Sequence, residues 1–174
     1  RHFNAQYHCI CKSGIGITVS WDPLIMPEIY DRLIPTDSTS KWDFSSYTPN
    51  VVIINLLQND SWLVNLPENE EFKKRFGDQA PSEEYIINAY QQFVANIRTK
   101  YPEANIVCSL GSMDAAKKGS KWIDYIKLAT ANLDDNRVYT HFMPYIESSV
   151  HPSIQDQEIM AKSLIQFIDK NIEW

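Results

Sequence analysis

Two hydrophobic periods along the chain predict alternating strands and helices. The run NVVIINLL at residues 50–57 is apolar without alternation, which is typical of a parallel strand covered on both faces. Residues 83–100 follow Ser82, a favoured N-cap residue, and carry apolar side chains at helical spacing, namely Ile86, Tyr90, Phe93, Val94 and Ile97, with Tyr101 continuing the row. Further short strands are predicted in YHCICKSG, ANIVCSLG and RVYTHF.

The second half of the chain predicts two more helices. One covers about residues 119–133, with Trp122, Ile123, Ile126 and Leu133 on one side. The other begins just after His151-Pro152, where Ser153 and Asp156 have the spacing of a capping box, and its apolar stripe is Ile154, Met160, Ala161, Leu164, Ile168 and Ile172. MPEIYDRLIP is predicted as a brief helical or irregular piece, STSKWDFSSYTP as a polar loop and ENEEFKKRFGDQAP as a charged stretch. This alternation predicts a single α/β domain over residues 1–174, with a parallel sheet between two helical layers.

Composition narrows the class of protein. The chain has 174 residues, of which 44% are hydrophobic and 22% charged, as in one globular domain. Its net charge of −6 argues against nucleic acid or an anionic membrane as a partner, and no apolar run reaches the roughly 18–20 residues of a membrane span. No signal peptide is present, but the sequence begins at Arg1 rather than methionine, so its absence says little about compartment.

The cysteines lack the spacing of a metal site. We interpret them as free buried thiols in preference to a metal or redox site; they are Cys9, Cys11 and Cys108.

Candidate chemistry lies where predicted strands end, because ligands bind outside the carboxyl ends of the strands in such sheets. Three polar clusters follow strands here: residues 13–16, residues 58–61 and the loop MPYIESSVHPS after the last strand. We expect all three at one rim of the sheet. That convergence is the main indication of a site.

Each cluster offers one chemically useful group, and each group also has a simpler interpretation. Gly14 can expose its backbone N–H to a ligand, or it can be an ordinary turn glycine. Asn59 has an uncharged NH₂ donor suited to an oxyanion, or it belongs to turn chemistry. His151 stands before Pro152 at a helix entrance, as a base or as a cap or surface residue. Their placement on one rim favours the chemical interpretation.

Five segments then point to a family. SGIGI, MPEIYDR, WDF with PNVVIINLLQNDSW, YPEANIVCSLGSM and HPSIQDQEIMAKSLIQFI occur in the order and spacing of the SGNH (GDSL-like) hydrolases. The chain most resembles the acetyl-xylan esterases of carbohydrate esterase family 2. The resemblance implies a three-layer α/β/α sandwich with a mainly parallel sheet, the flavodoxin-like fold of SGNH hydrolases. It also implies that Gly14 gives an oxyanion N–H, that Asn59 gives a side-chain donor, and that His151 is the general base.

The chain departs from the family pattern in three places. No Gly-Asp-Ser block with the nucleophilic serine occurs, so the first strand of the fold is expected to be missing from this chain. Leu57 replaces the glycine of the Gly-x-Asn-Asp block, and we expect a reshaped turn there. No acid stands two or three residues before His151, where Ser149 and Ser148 occur, so either Glu147 or a backbone carbonyl orients the imidazole.

The missing strand implies a partner for this chain. In the family fold that strand pairs between residues 7–12 and 51–57, and without it two apolar edges are exposed. We therefore expect either a separate N-terminal fragment or self-association. By itself the chain should not hydrolyse esters, because it lacks the nucleophile.

The resemblance implies a carbohydrate esterase, secreted or periplasmic, that removes O-acetyl groups from a polysaccharide or oligosaccharide. No metal or organic cofactor is needed for that reaction. Aromatic side chains that could stack on sugars, although core packing is an alternative for each, are Trp21, Trp42 and Trp62. A non-catalytic carbohydrate-binding module derived from such an esterase is the alternative. A flavodoxin-like signalling domain is disfavoured, because neither an acidic phosphorylation pocket nor a phosphate loop is found.

Overall fold

The computed structural model describes residues 2–147 and 151–173. Within these residues, three strands form one parallel sheet: β1 (Val51–Asn55), β2 (Asn105–Leu110) and β3 (Val138–Phe142), in the order β1-β2-β3. The register aligns Val51 with Asn105 and Ile106 with Val138. The predicted parallel sheet is therefore confirmed.

Helices connect and cover the strands. They are α1 (Met26–Ile29), α2 (Gln58–Leu63), α3 (Glu70–Phe76), α4 (Glu83–Lys100), α5 (Lys121–Ala131) and α6 (Ile154–Asn171), with short 3₁₀ turns at Phe44–Ser46 and Asp114–Ala116. None of the described helices is long and apolar enough to cross a membrane.

Helices α4 and α6 begin where their capping residues predict. The Ser82 hydroxyl accepts the Tyr85 N–H at 3.1 Å and starts α4. At α6, Ser153 and Asp156 form the reciprocal capping box, with the Ser153 N–H donating to the Asp156 carboxylate at 2.8 Å. These bonds satisfy backbone donors that the first turn of a helix leaves unpaired.

The sheet is packed on both faces. On one face, Ile106, Cys108 and Leu110 of β2 join a large core with the buried sides of α4 and α5. On the other face, Val107 packs with Ile168 and Ile172 from the end of α6. Because successive strand residues point to opposite faces, this is the predicted three-layer α/β/α arrangement. The fold class is confirmed.

Two sequence predictions about extended segments were wrong in part. YHCICKSG is not a strand: residues 6–12 run without regular structure, because none of the described strands lies beside them to complete a hydrogen-bonded ladder. Strand β1 exists as predicted, but Ile53 is 45% exposed, so its two faces are not both covered. The edge of β1 opposite β2 has no strand partner among the residues described.

Two short helices were not predicted. Helix α3 lies in the charged stretch, where the Asn69 side chain accepts the Glu71 and Phe72 N–H groups and Phe72 is the buried anchor. Helix α2 occupies the polar cluster after β1. Helices of six or seven residues are too short to repeat an apolar period, so the pattern does not reveal them. In α6, Ile154 was wrongly placed in the buried stripe, since it is 76% exposed.

Candidate active site

The candidate site begins at the turn that joins β1 to α2. Leu57 is the N-cap of α2, with a left-handed φ of +81°, and its side chain is fully buried. This is a conformation that glycine adopts freely and leucine rarely does. The leucine that replaces the family's glycine therefore keeps a glycine-like backbone. The expectation of a reshaped turn stays a prediction.

Asn59, two residues later, is held against the loop that contains Gly14. Its side-chain Nδ2 donates to the backbone oxygen of Ile15 at 2.8 Å, and the residue is half-buried. A carboxamide has two N–H donors. The bond to Ile15 fixes the orientation of the amide and leaves the other N–H to donate to a ligand.

Asp60 binds the same loop from a fully buried position. Its carboxylate accepts the Ile17 N–H at 3.0 and 3.1 Å, and it accepts both the N–H and the hydroxyl of Thr18 at 2.7 Å. The Val19 N–H makes a longer contact of 3.4 Å. Burial raises the pKa of Asp60, while the hydrogen bonds from Thr18 and Ile17 oppose that rise. Because Asp60 is fully buried and its carboxylate binds only this loop among the described residues, its role is to hold the loop.

Two glycines are required by close contacts, Gly14 within the loop itself and Gly16 against α2. Gly14 has a φ of +71°, and a Cβ there would lie 2.9 Å from Cβ of Trp21, whose backbone N–H donates to the Gly14 oxygen at 3.0 Å. At Gly16 a Cβ would lie 2.1 Å from the Val19 oxygen and 2.5 Å from the Asp60 carboxylate. Residue 16 must be glycine for steric reasons alone. The structure thus brings the Gly14 loop and Asn59 together, as the sequence predicts.

His151 is exposed and lies between β3 and α6, two residues before the Ser153 cap. The segment after β3 begins beside the carboxyl end of β2, where the Met143 N–H donates to the Leu110 oxygen at 3.1 Å. No hydrogen bond joins His151 to Asn59 or Gly14 in residues 2–147 and 151–173. The structure does not place His151 in contact with either residue, so the meeting of all three groups stays a prediction.

The groups considered for orienting His151 remain predictions. Glu147 is exposed, four residues before the histidine. Ser148 and Ser149, which stand where the family has its acid, lie outside the described residues.

The three candidate tryptophans have different surroundings. Trp21 is 48% exposed and packs beside Gly14. Trp62 lies on α2, one turn after Asn59, and its indole N–H donates to Asp114 at 2.7 Å. Trp42 instead contacts His8, which stacks on Tyr47 just before β1. Trp21 thus lies beside Gly14 and Trp62 lies on the helix of Asn59, whereas Trp42 lines a groove beside β1 together with Asn59.

A bonded pair beside Trp62 was missed by sequence reasoning. Gln58 donates from Nε2 to Asp114 at 2.7 Å, so the same carboxylate holds two side chains of α2. Asp114 follows β2 and is far from α2 in sequence, so no spacing or motif predicts the contact. This carboxylate fixes the outer face of the helix that carries Asn59.

A groove of about 910 Å³ runs beside β1. One wall is the segment Gln6–Lys12 and the other is Val51–Leu56, with Asn59 and Ile15 also in the lining. Cys9 and Cys11 are exposed on the first wall, with their sulfur atoms 3.6 Å apart. The prediction of buried thiols is therefore wrong for these two and right for Cys108. The described residues contain no cluster of three or more His, Cys, Asp or Glu side chains that could hold a metal ion.

Comparisons with known proteins place this geometry in context. No protein-family model matches the chain. The cellulase/esterase CelE of Acetivibrio thermocellus is 30% identical over 185 residues, which cover all of this chain and 21% of that protein. The chain thus spans about a fifth of the length of this curated relative.

Solved structures agree with the fold. A family two carbohydrate esterase from Clostridium thermocellum, solved in complex with cellohexaose, has a TM-score of 0.70 and 29% identity, over 90% of this chain and 47% of that one. An active-site mutant of a family two esterase from the same organism gives a TM-score of 0.74 and 27% identity, over 93% and 48%. An acetyl xylan esterase from Butyrivibrio proteoclasticus, at 22% identity, shares the fold with a TM-score of 0.77 over 96% and 52%.

The parallel α/β fold matches that of SGNH-type carbohydrate esterases. The predicted resemblance is confirmed: the chain is related to the carbohydrate esterases of family 2. It spans about half the length of the solved esterases.

Proposed function

We propose that this chain supplies the oxyanion donors and the general base of a serine-dependent carbohydrate acetyl esterase. The observation that carries the proposal is the amide of Asn59, oriented by the Ile15 carbonyl beside the Gly14 loop. An uncharged, fixed donor next to a positive-φ glycine is what an acyl-transfer site requires for developing negative charge. Relationship to carbohydrate esterases supports the same chemistry.

The reaction follows the usual course of serine hydrolases. A serine on a segment outside these 174 residues attacks the ester carbonyl, and His151 takes its proton. The oxyanion of the tetrahedral intermediate accepts hydrogen bonds from the Gly14 N–H, the second N–H of Asn59 and the serine's own N–H. Collapse releases the sugar hydroxyl, with the proton returned by His151, and water then hydrolyses the acetyl-serine by the same steps.

The groove beside β1 supports the expected source of that serine. The apolar run of β1 is typical of an interior strand, yet β1 has a strand partner on one side only among the described residues. The opposite wall, residues 6–12, runs without regular structure and belongs to none of the described strands. A further parallel strand between the two walls would complete both ladders, and its carboxyl end would reach Asn59. We propose that the segment carrying the serine occupies this place, in preference to a second copy of the chain.

The relatives and the aromatic residues near the candidate site support the proposed substrate class. A family two relative binds cellohexaose, which supports an acetylated carbohydrate as the substrate here. Trp21 is exposed beside Gly14 and Trp62 lies on α2 one turn after Asn59, so both offer aromatic surface near the proposed donors. Because acetylated polysaccharides lie outside the cell, the protein is proposed to be secreted or periplasmic.

Hydrolysis of p-nitrophenyl acetate by the full-length gene product tests the proposal. Asn59→Ala should lower kcat by about 10²–10³ while changing KM little, because the donor acts on the transition state. Asn65→Ala is the matched control: Asn65 also donates from Nδ2 to a backbone oxygen, that of Ser61 at 2.8 Å, but it lies beyond the end of α2. Equal turnover of the Asn59→Ala variant and the control would refute the donor role.

A carbohydrate-binding module without hydrolysis remains the second candidate, because no Gly-Asp-Ser block occurs in the 174 residues. The same assay separates the two. A full-length product that binds cello-oligosaccharides in calorimetry but releases no p-nitrophenol supports the module and excludes the esterase.

A further inference from the structure

We propose that Asp60 is a positioning residue for this reaction, which holds the loop of Gly14 against α2 and so fixes the separation of the two oxyanion donors. The inference rests on the proposed esterase function and adds to it a residue that makes no contact with substrate. Asp60 is fully buried beneath the loop, so it acts only through the groups it binds.

Consecutive residues of α2 bind the loop through groups of opposite polarity. The Asn59 amide donates to the Ile15 oxygen, and the Asp60 carboxylate accepts the N–H groups of Ile17 and Thr18. One peptide carbonyl and two peptide N–H groups are thereby tied to the same helical turn. A shift of the loop relative to α2 would break both kinds of bond together, so the loop has one position.

The loop is also closed on itself. The Gly16 N–H donates to the Ser20 hydroxyl at 2.9 Å, and the Trp21 N–H donates to the Gly14 oxygen. Thr18 and Ser20 are buried with Asp60. Gly14 therefore stands at the end of a compact ring whose centre is tied to the Asp60 carboxylate.

Burying a carboxylate here is energetically unfavourable. Its presence therefore indicates that a neutral side chain would not bind the loop in the same way. Burial of a charge is strongly unfavourable unless several donors satisfy it. Here two peptide N–H groups and one hydroxyl converge on it at 2.7–3.1 Å. An asparagine would present an NH₂ group to at least one of these N–H donors. The loop would then move away, taking the Gly14 N–H with it.

The expected effect is on turnover rather than on substrate binding. Displacement of a catalytic group by about 1 Å can reduce the rate about 10²-fold. We therefore expect Asp60→Asn to lower kcat about 10–100-fold with KM within about threefold of the wild type. Affinity for a boronic acid that forms a tetrahedral adduct with the serine should fall by a similar factor, since the adduct uses the same donors.

The experiment uses the full-length gene product with p-nitrophenyl acetate as substrate. Thr18→Val removes one donor to Asp60 and should show a smaller fall in kcat, which Thr18→Ser should restore by returning the hydroxyl. Asp37→Asn is the matched control, because the half-buried Asp37 carboxylate, far from α2 in sequence, accepts the N–H and hydroxyl of Thr39 at 2.9 and 2.6 Å. It should leave kcat and boronate affinity unchanged.

The outcomes separate this inference from the proposed function. Wild-type kcat and boronate affinity in a folded Asp60→Asn variant, with Asn59→Ala impaired, would overturn the inference and leave the esterase function standing. An inactive wild-type product would overturn both. If Asp60→Asn does not fold, the Thr18 pair decides: equal kcat in Thr18→Val and Thr18→Ser would overturn the inference.

Discussion

The carbonyl oxygen of Leu57 accepts the backbone N–H of Ser61 at 3.0 Å, so α2 begins at a leucine with a φ of +81°. A non-glycine residue in this region costs of order 1–3 kcal/mol. Full burial of a leucine side chain contributes about 1.5–3 kcal/mol. The two effects are comparable, and the buried side chain explains why a leucine is tolerated where the backbone favours glycine.

Substitutions at Leu57 should therefore rank in an unusual order. Leu57→Ala loses the buried side chain and keeps the strained backbone, and we expect it to lower the free energy of unfolding by about 2–5 kcal/mol. Leu57→Gly loses the same contacts but relieves the strain, so it should be less destabilising by about 1 kcal/mol. Urea denaturation of the full-length product measures both. An alanine variant as stable as the glycine variant would contradict the assignment of strain.

Alkylation of the cysteines should report whether a strand fills the groove. In the full-length product, Cys9 and Cys11 should react with iodoacetamide at least about tenfold more slowly than in a product shortened to residues 1–174, because the added strand would cover both thiols. Cys108 is the internal control: it is buried in β2, and burial raises its pKa to about 12.

Equal alkylation rates of Cys9 and Cys11 in the two products would contradict the strand proposal. Protection in the shortened product, with twice the expected mass in light scattering, would instead identify a second copy as the occupant.

His141 predicts a dependence of stability on pH. Its ring stacks on Phe167 with a centroid distance of 4.7 Å, Nε2 lies 3.1 Å from the Ser163 hydroxyl, and burial lowers its pKa. A depressed histidine pKa means that the fold favours the neutral ring. This contribution is present above the unfolded pKa, about 6.5, and is lost as the pH falls through it toward the folded value.

His141→Asn should consequently flatten the fall in unfolding free energy between pH 7 and pH 5. Urea titrations of wild type and variant at several pH values measure the difference. Parallel curves would contradict the prediction.

The sequence predicted the elements that are long enough to show several repeats of a hydrophobic period. Helix α4 carries five buried apolar residues in register behind its cap, and its bounds were predicted at both ends. Helix α2 has room for only one turn, so nothing in its pattern distinguishes it from a polar turn. Residues 6–12 have strand-like composition, but a strand also needs a neighbour, which local sequence cannot supply.

The candidate site was predictable to the extent that topology determines it. The expectation that polar clusters meet at the carboxyl ends of strands predicted the contact between Asn59 and the Gly14 loop, although the segment before Gly14 is not a strand. The bonds of Asp114 to Gln58 and Trp62 could not be anticipated, because they join loops distant in sequence without any spacing rule. The left-handed turn at Leu57 could not be predicted, because leucine rarely adopts a positive φ and so does not indicate one.

The crowding at Gly16 sets a limit for directed evolution of substrate range. Any side chain at this position would meet the Val19 oxygen and the Asp60 carboxylate, so a randomised library should leave it fixed. Ser13 and Trp21 are exposed beside the same loop and can change without entering that packing. Randomising these two positions should alter which acylated sugars are accepted while the positions of the proposed oxyanion donors are kept.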